Sequence, residues 1–172
     1  YESELQSQIK IVAINEPADS KTIAHLTRYD STHGRFKGEV TCEDHKLSVC
    51  GDHIQIVHQE NLSALPWAEL DVDVVLECSG SFSDRLTAEQ HLHCGAKRVL
   101  FSQPAESDVD ATVVYGFNHS ELTGTEKIIS GASCSTNCVI PVIQVLNQHF
   151  SVEGGVITTI HSAMNDQPVL DA

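Results

Sequence analysis

A cysteine sits among small and hydroxylated residues in Ser130 to Cys138 (SGASCSTNC), and a histidine, His161, closes the later segment VITTIH. The apolar run before Ser130 predicts a strand, and the periodicity after Cys134 predicts a helix. A cysteine at a helix amino end meets free N–H groups and the positive end of the helix dipole. Both favour thiolate over thiol, so the pKa of Cys134 should fall. The same N–H groups can hold the oxyanion formed when sulfur attacks a carbonyl. The segment Val156 to His161 reads as a strand, and a histidine at its end suits a base that activates the thiol. The competing readings are a buried structural cysteine and a core or solvent histidine, one of ten in the chain.

Cys138 shares a helix face with Cys134 and reads as structural, because two cysteines four apart on a helix do not form an easy disulfide. Asn15-Glu16 follows an expected strand. There an acidic side chain accepts from ribose hydroxyls and repels a 2′-phosphate, which favours NAD over NADP. The alternative for Glu16 is a plain surface carboxylate. Ser79-Gly80 and Ser102 each follow an expected parallel strand, where ligands bind in such sheets. His91, His93 and Cys94 cluster, but their spacing matches no structural zinc pattern, so no metal is expected.

These residues need a scaffold. Ile9 to Ile14, Val72 to Cys78, Arg98 to Ser102, Ala111 to Tyr115 and Lys127 to Ser130 read as strands. Ser20 to Tyr29 and Asp84 to Cys94 read as helices, the second ending at Gly95. Lys37 to Val57 reads as short antiparallel strands broken by Gly38 and Gly51-Asp52. Strands alternating with helices predict an α/β fold whose parallel sheet is covered on both faces. Cys134 to about Phe150 reads as a helix that Pro141 should bend, with Gly154-Gly155 ending the unit. A domain spanning 1–133 and the start of a second at 134–172 are expected. Tyr1 to Gln8 reads as a helix tail, and Val169 to Ala172 stops in mid-pattern, so the expectation is a fragment of a longer protein.

The formal net charge of −14 argues against nucleic-acid or anionic-membrane partners. It reads as solubility. No run approaches the roughly 18 apolar residues of a membrane span. Six scattered cysteines without a C-x-x-C pair predict free thiols and a reducing cytoplasm.

The stretch SGASCSTNC resembles the active-site signature of the glyceraldehyde-3-phosphate dehydrogenase family. YDSTHGRF (Tyr29 to Phe36), GAKRVLFS (Gly95 to Ser102), VVYGFNH (Val113 to His119) and TTIHS (Thr158 to Ser162) follow in that family's order and spacing. Within the family, LPW (Leu65 to Trp67), DVDATVVYG, CVIPVIQVL and HSAMNDQ look like the branch that oxidises erythrose 4-phosphate. The resemblance implies a Rossmann-like NAD-binding domain and the start of an α+β catalytic domain, in a homotetramer acting on a small phosphorylated aldose. It implies Cys134 as nucleophile and His161 as base. Ser133, Ser135 and Thr136 would form the substrate and anion site, and Glu16 would hold the adenosine ribose. Asn15, Ser79, Gly80 and Ser102 would line the NAD cleft. In the erythrose branch water resolves the thioester, and the product feeds pyridoxal phosphate synthesis. In the glycolytic branch inorganic phosphate resolves it.

Three residues past His161, the glycolytic enzymes carry a Thr that helps bind substrate phosphate, and this chain has Met164. Gly131 stands where the family usually has Asn, and Glu60 where it usually has Arg beside the adenine. The Gly-rich pyrophosphate loop and the distal phosphate-binding Arg are expected outside this stretch, which by itself should bind NAD poorly. The competing functions are a phosphorylating glycolytic dehydrogenase, a cysteine–histidine hydrolase or acyltransferase without nicotinamide, and a His/Cys metal module.

Overall fold

The computed structural model describes residues 1–2 and 7–161. It divides into two compact units, Tyr1–Val72 and Asp73–Ala172. The expected helix tail over 1–8 lies mainly outside the described residues, as do Met164 and the C-terminal segment.

The first unit holds β1 (Ala13–Asn15), α1 (Ser20–Arg28), β2 (Tyr29–Asp30), β3 (Gly34–Arg35), β4 (Val40–Glu43), β5 (Lys46–Val49) and β6 (Asp52–Val57). Its main sheet runs β1-β6-β5-β4. β1 and β6 pair parallel, while β4, β5 and β6 form the antiparallel meander that the glycine breaks predict. Cys50 (φ 52°) and Gly51 (φ 90°) turn β5 into β6. Two successive positive φ angles make the tight hairpin whose twist matches its strands. Strand alternation sends Leu47, Val49, Ile54 and Ile56 into one core, where Ile23 and Ala24 of α1 meet them. Asp19 caps α1 by accepting from the N–H groups of Lys21 and Thr22.

The second unit holds β7 (Val74–Glu77), α2 (Arg85–His93), β8 (Arg98–Phe101), β9 (Ala111–Thr112), β10 (Ile128–Ser130) and α3 (Cys134–Phe150). Its sheet, ordered β7-β8-β10-β9, is parallel throughout. Asp84 caps α2 through the Thr87 N–H, and Gly95 follows the helix with φ 106°. Ala88 packs on Val99, Phe101 and Ile128 to form the core. The sheet was expected to be covered on both faces. Within this unit α2 covers one, and Val74 and Leu76 of β7 remain 45% and 64% exposed.

α3 runs unbroken across Pro141 and ends at Phe150, where Ser151 takes the left-handed conformation (φ 55°). Ser151 thus stops the helix where the periodicity predicts, and Gly154-Gly155 lie in the irregular segment that follows. The strand expected over 156–161 does not form: 151–161 is irregular and exposed. A strand needs a neighbour to satisfy its backbone groups, and among the described residues none pairs with this one.

Candidate active site

β10 delivers the chain to a tight turn before α3. Ser130 is fully buried. Its Oγ donates to the Gln103 carbonyl (2.7 Å) and accepts from the Ala132 N–H (3.1 Å). The Gly131 N–H donates to the Phe101 carbonyl (2.9 Å) and so extends the strand pairing by one residue. A Cβ at Gly131 would stand 3.3 Å from that same carbonyl, so the Asn usual in the resembling family would need the neighbour to give slightly. Ala132 takes φ 61°, a conformation costing a non-glycine residue about 1 kcal/mol. Ser133 then caps α3, its Oγ accepting from the Thr136 N–H (3.0 Å), and Cys134 is the first helical residue.

Cys134 is exposed, and its Sγ lies 3.3 Å from Nε2 of His161. The hydrogen bond to His161 is the main force holding the Cys134 thiol below its ordinary pKa. Desolvation opposes it, while the hydroxyl and N–H of Ser135 and the charge of His161 add to it. The sequence places His161 at a strand end. The structure brings it to the sulfur from an irregular segment instead.

Two other strand ends in the same unit carry exposed polar residues. Ser79 and Gly80 follow β7, and Ser102 follows β8. Glu77 ties them together from below: its Oε1 accepts from the Ser79 N–H (2.7 Å), and its carbonyl accepts from the Ser102 N–H (3.0 Å). Gly80 has φ 75° with open space where a Cβ would lie. Glu77 is 7% exposed, and its Oε2 lies 3.5 Å from Nε2 of the buried His91. Burial alone would raise the Glu77 pKa, but His91 and Ser79 together hold it below the usual carboxylate value. His93 is exposed on another face of α2. Among the described residues, no group of three or more His, Cys, Asp or Glu stands together as a metal site.

In the first unit, Asn15 and Glu16 close β1. The Asn15 amide exchanges two hydrogen bonds with the Gln59 backbone (3.0 and 3.1 Å). Glu16 is half-buried, and its Oε1 accepts from the Ala18 N–H (3.3 Å).

Two family models match the chain. Residues 3–85 match the NAD binding domain of glyceraldehyde 3-phosphate dehydrogenase, and residues 133–172 match the C-terminal domain of the same enzyme. Together they span more than two thirds of the chain. The chain belongs to the glyceraldehyde-3-phosphate dehydrogenase family. Its family domains are those of an NAD-dependent oxidoreductase acting on an aldehyde group, and its cofactor is NAD. The residues fit that dinucleotide. Within the first unit, Glu16 is a carboxylate just past the end of a parallel strand, the chemistry that suits a ribose diol.

In this family member the supporting residues are less evident in the sequence than the reactive pair. The sequence singles out neither Glu77, Ser130 nor Asn137 for a role of its own, and it raises His91 only as a metal ligand that its spacing argues against. An acidic residue at the end of an otherwise apolar strand, VVLE, is the signal by which Glu77 can be found.

Proposed function

We propose that this protein oxidises erythrose 4-phosphate to 4-phosphoerythronate with NAD, through a thioester on Cys134. The 3.3 Å approach of His161 to a sulfur at a helix amino end carries the reading. The thiolate adds to the aldehyde carbon, and the alkoxide so formed takes the proton that His161 drew from the thiol, giving a hemithioacetal beside the amino end of α3. His161 takes the hydroxyl proton, which eases departure of the hydride. NAD, when bound, supplies the hydride acceptor. Water then attacks the thioester carbon, releasing the carboxylate and restoring the Cys134 sulfur.

Ser133, Ser135 and Thr136 are proposed at the substrate end. Glu16, Asn15, Ser79, Gly80 and Ser102 are proposed on the cofactor. The four-carbon substrate is supported by the segments LPW, DVDATVVYG, CVIPVIQVL and HSAMNDQ, and by Met164, which offers no hydroxyl to a phosphate. A homotetramer in a reducing cytoplasm is the setting this reading expects.

A second reading, phosphorylating oxidation of glyceraldehyde 3-phosphate, is favoured by the enzyme for which both matching domains are described. NADH formation by the intact protein on each sugar phosphate, with and without inorganic phosphate, separates the two. Faster turnover of erythrose 4-phosphate, independent of phosphate, is expected. Phosphate-dependent turnover confined to glyceraldehyde 3-phosphate would replace the first reading with the second. Met164→Thr should raise activity on glyceraldehyde 3-phosphate.

A further inference from the structure

The turn that presents Cys134 is held at one end by Ser130 and capped at the other by Ser133. A third side chain closes it. Asn137 lies one turn into α3, and its Nδ2 donates to the carbonyls of Gly131 (2.7 Å) and Ser133 (2.9 Å). These carbonyls flank Ala132, the residue at φ 61°. A primary amide carries two N–H donors on one nitrogen, so it satisfies both oxygens at once. The Asn137 backbone N–H also donates to the Ser133 carbonyl (2.9 Å), so main chain and side chain grip the same residue.

Helix stability gives little reason for this residue. Asparagine is a poor helix former, and the amino end of α3 already has its cap in Ser133. Pro141 lacks the N–H that the Asn137 carbonyl would otherwise accept, which leaves this part of α3 one backbone bond short. A neutral amide also suits the site electrostatically. A carboxylate at the same position would face two carbonyl oxygens and disfavour the neighbouring thiolate.

We propose that Asn137 is a positioning residue for Cys134. It fixes the Gly131–Ser133 turn so that the sulfur stays within hydrogen-bond reach of His161 and the Ser135 N–H. The inference rests on reading Cys134 as the nucleophile.

The test is iodoacetamide alkylation of the intact protein across pH, with each cysteine followed by peptide mass spectrometry. Asn137→Ala and Asn137→Ser both remove the donor pair, and the serine variant is read if the alanine variant yields no folded protein. Either should slow alkylation of Cys134 at neutral pH by about tenfold and move its pH midpoint upward, since loss of a positioned partner returns the thiol toward its ordinary value. The rates at Cys42, Cys78 and Cys94 should stay at wild-type values. A wild-type rate and midpoint at Cys134 in either folded variant would overturn the assignment. Faster alkylation at all the cysteines would also overturn it, because Asn137 would then serve the fold at large. The nucleophile reading fails separately, if complete alkylation of Cys134 in the wild-type protein leaves aldehyde oxidation intact.

Discussion

Two turns in the second unit leave parallel strands and present exposed polar groups, yet they are built differently. After β7, the turn at Ser79-Gly80 is held by a buried carboxylate, Glu77, with His91 behind it. After β10, the turn at Gly131–Ser133 is held by neutral groups, the hydroxyl of Ser130 and the amide of Asn137. The difference follows the chemistry each turn serves. A carboxylate beside Cys134 would repel the thiolate and raise its pKa. Beneath Ser79 no ionised thiol has to be protected, and a carboxylate is the stronger acceptor for a backbone N–H.

The sharpest way to break this comparison is Ser130→Ala. It strands the N–H of buried Ala132 and the carbonyl of half-buried Gln103 together, and should cost about 2 kcal/mol in urea unfolding. It should slow Cys134 alkylation and leave NAD affinity, read by tryptophan fluorescence, near wild type. Glu77→Gln should show the reverse pattern, weakening NAD binding while sparing Cys134, at a cost of about 2 kcal/mol near neutral pH. Because the folded carboxyl of Glu77 titrates below its ordinary value, its contribution is present in full above that ordinary value. It is lost as pH falls through the folded pKa. The stability gap between wild type and Glu77→Gln should therefore narrow in acid, and a constant gap would count against a charged Glu77. Gly80→Ala should have the smallest effect, about 1 kcal/mol in thermal unfolding, because the added Cβ meets nothing and only the φ of 75° is strained.

Much of this molecule was legible in its sequence. The bounds of α1, α2 and α3 followed from periodicity and end signals to within a residue at each end. The alternation of β7, α2 and β8 announced a parallel sheet. The segment 156–161 was not legible, since its β-branched pattern states a preference that only a pairing strand can satisfy. In the site, Cys134 stood out because its neighbours are unusual. Ser130, Glu77 and Asn137 did not, because their work depends on carbonyls and N–H groups that folding brings within reach. The bond from the Ser130 hydroxyl to the Gln103 carbonyl, for example, joins residues 27 positions apart in the chain.

The central claim is that His161 holds the Cys134 thiol below its ordinary pKa. Its most direct test is the pH dependence of Cys134 alkylation in wild type and in His161→Ala. The wild-type midpoint should lie below that of an ordinary thiol. The variant should move it upward and lower the neutral-pH rate by about tenfold, the equivalent of one pKa unit. Superimposable profiles would contradict the account.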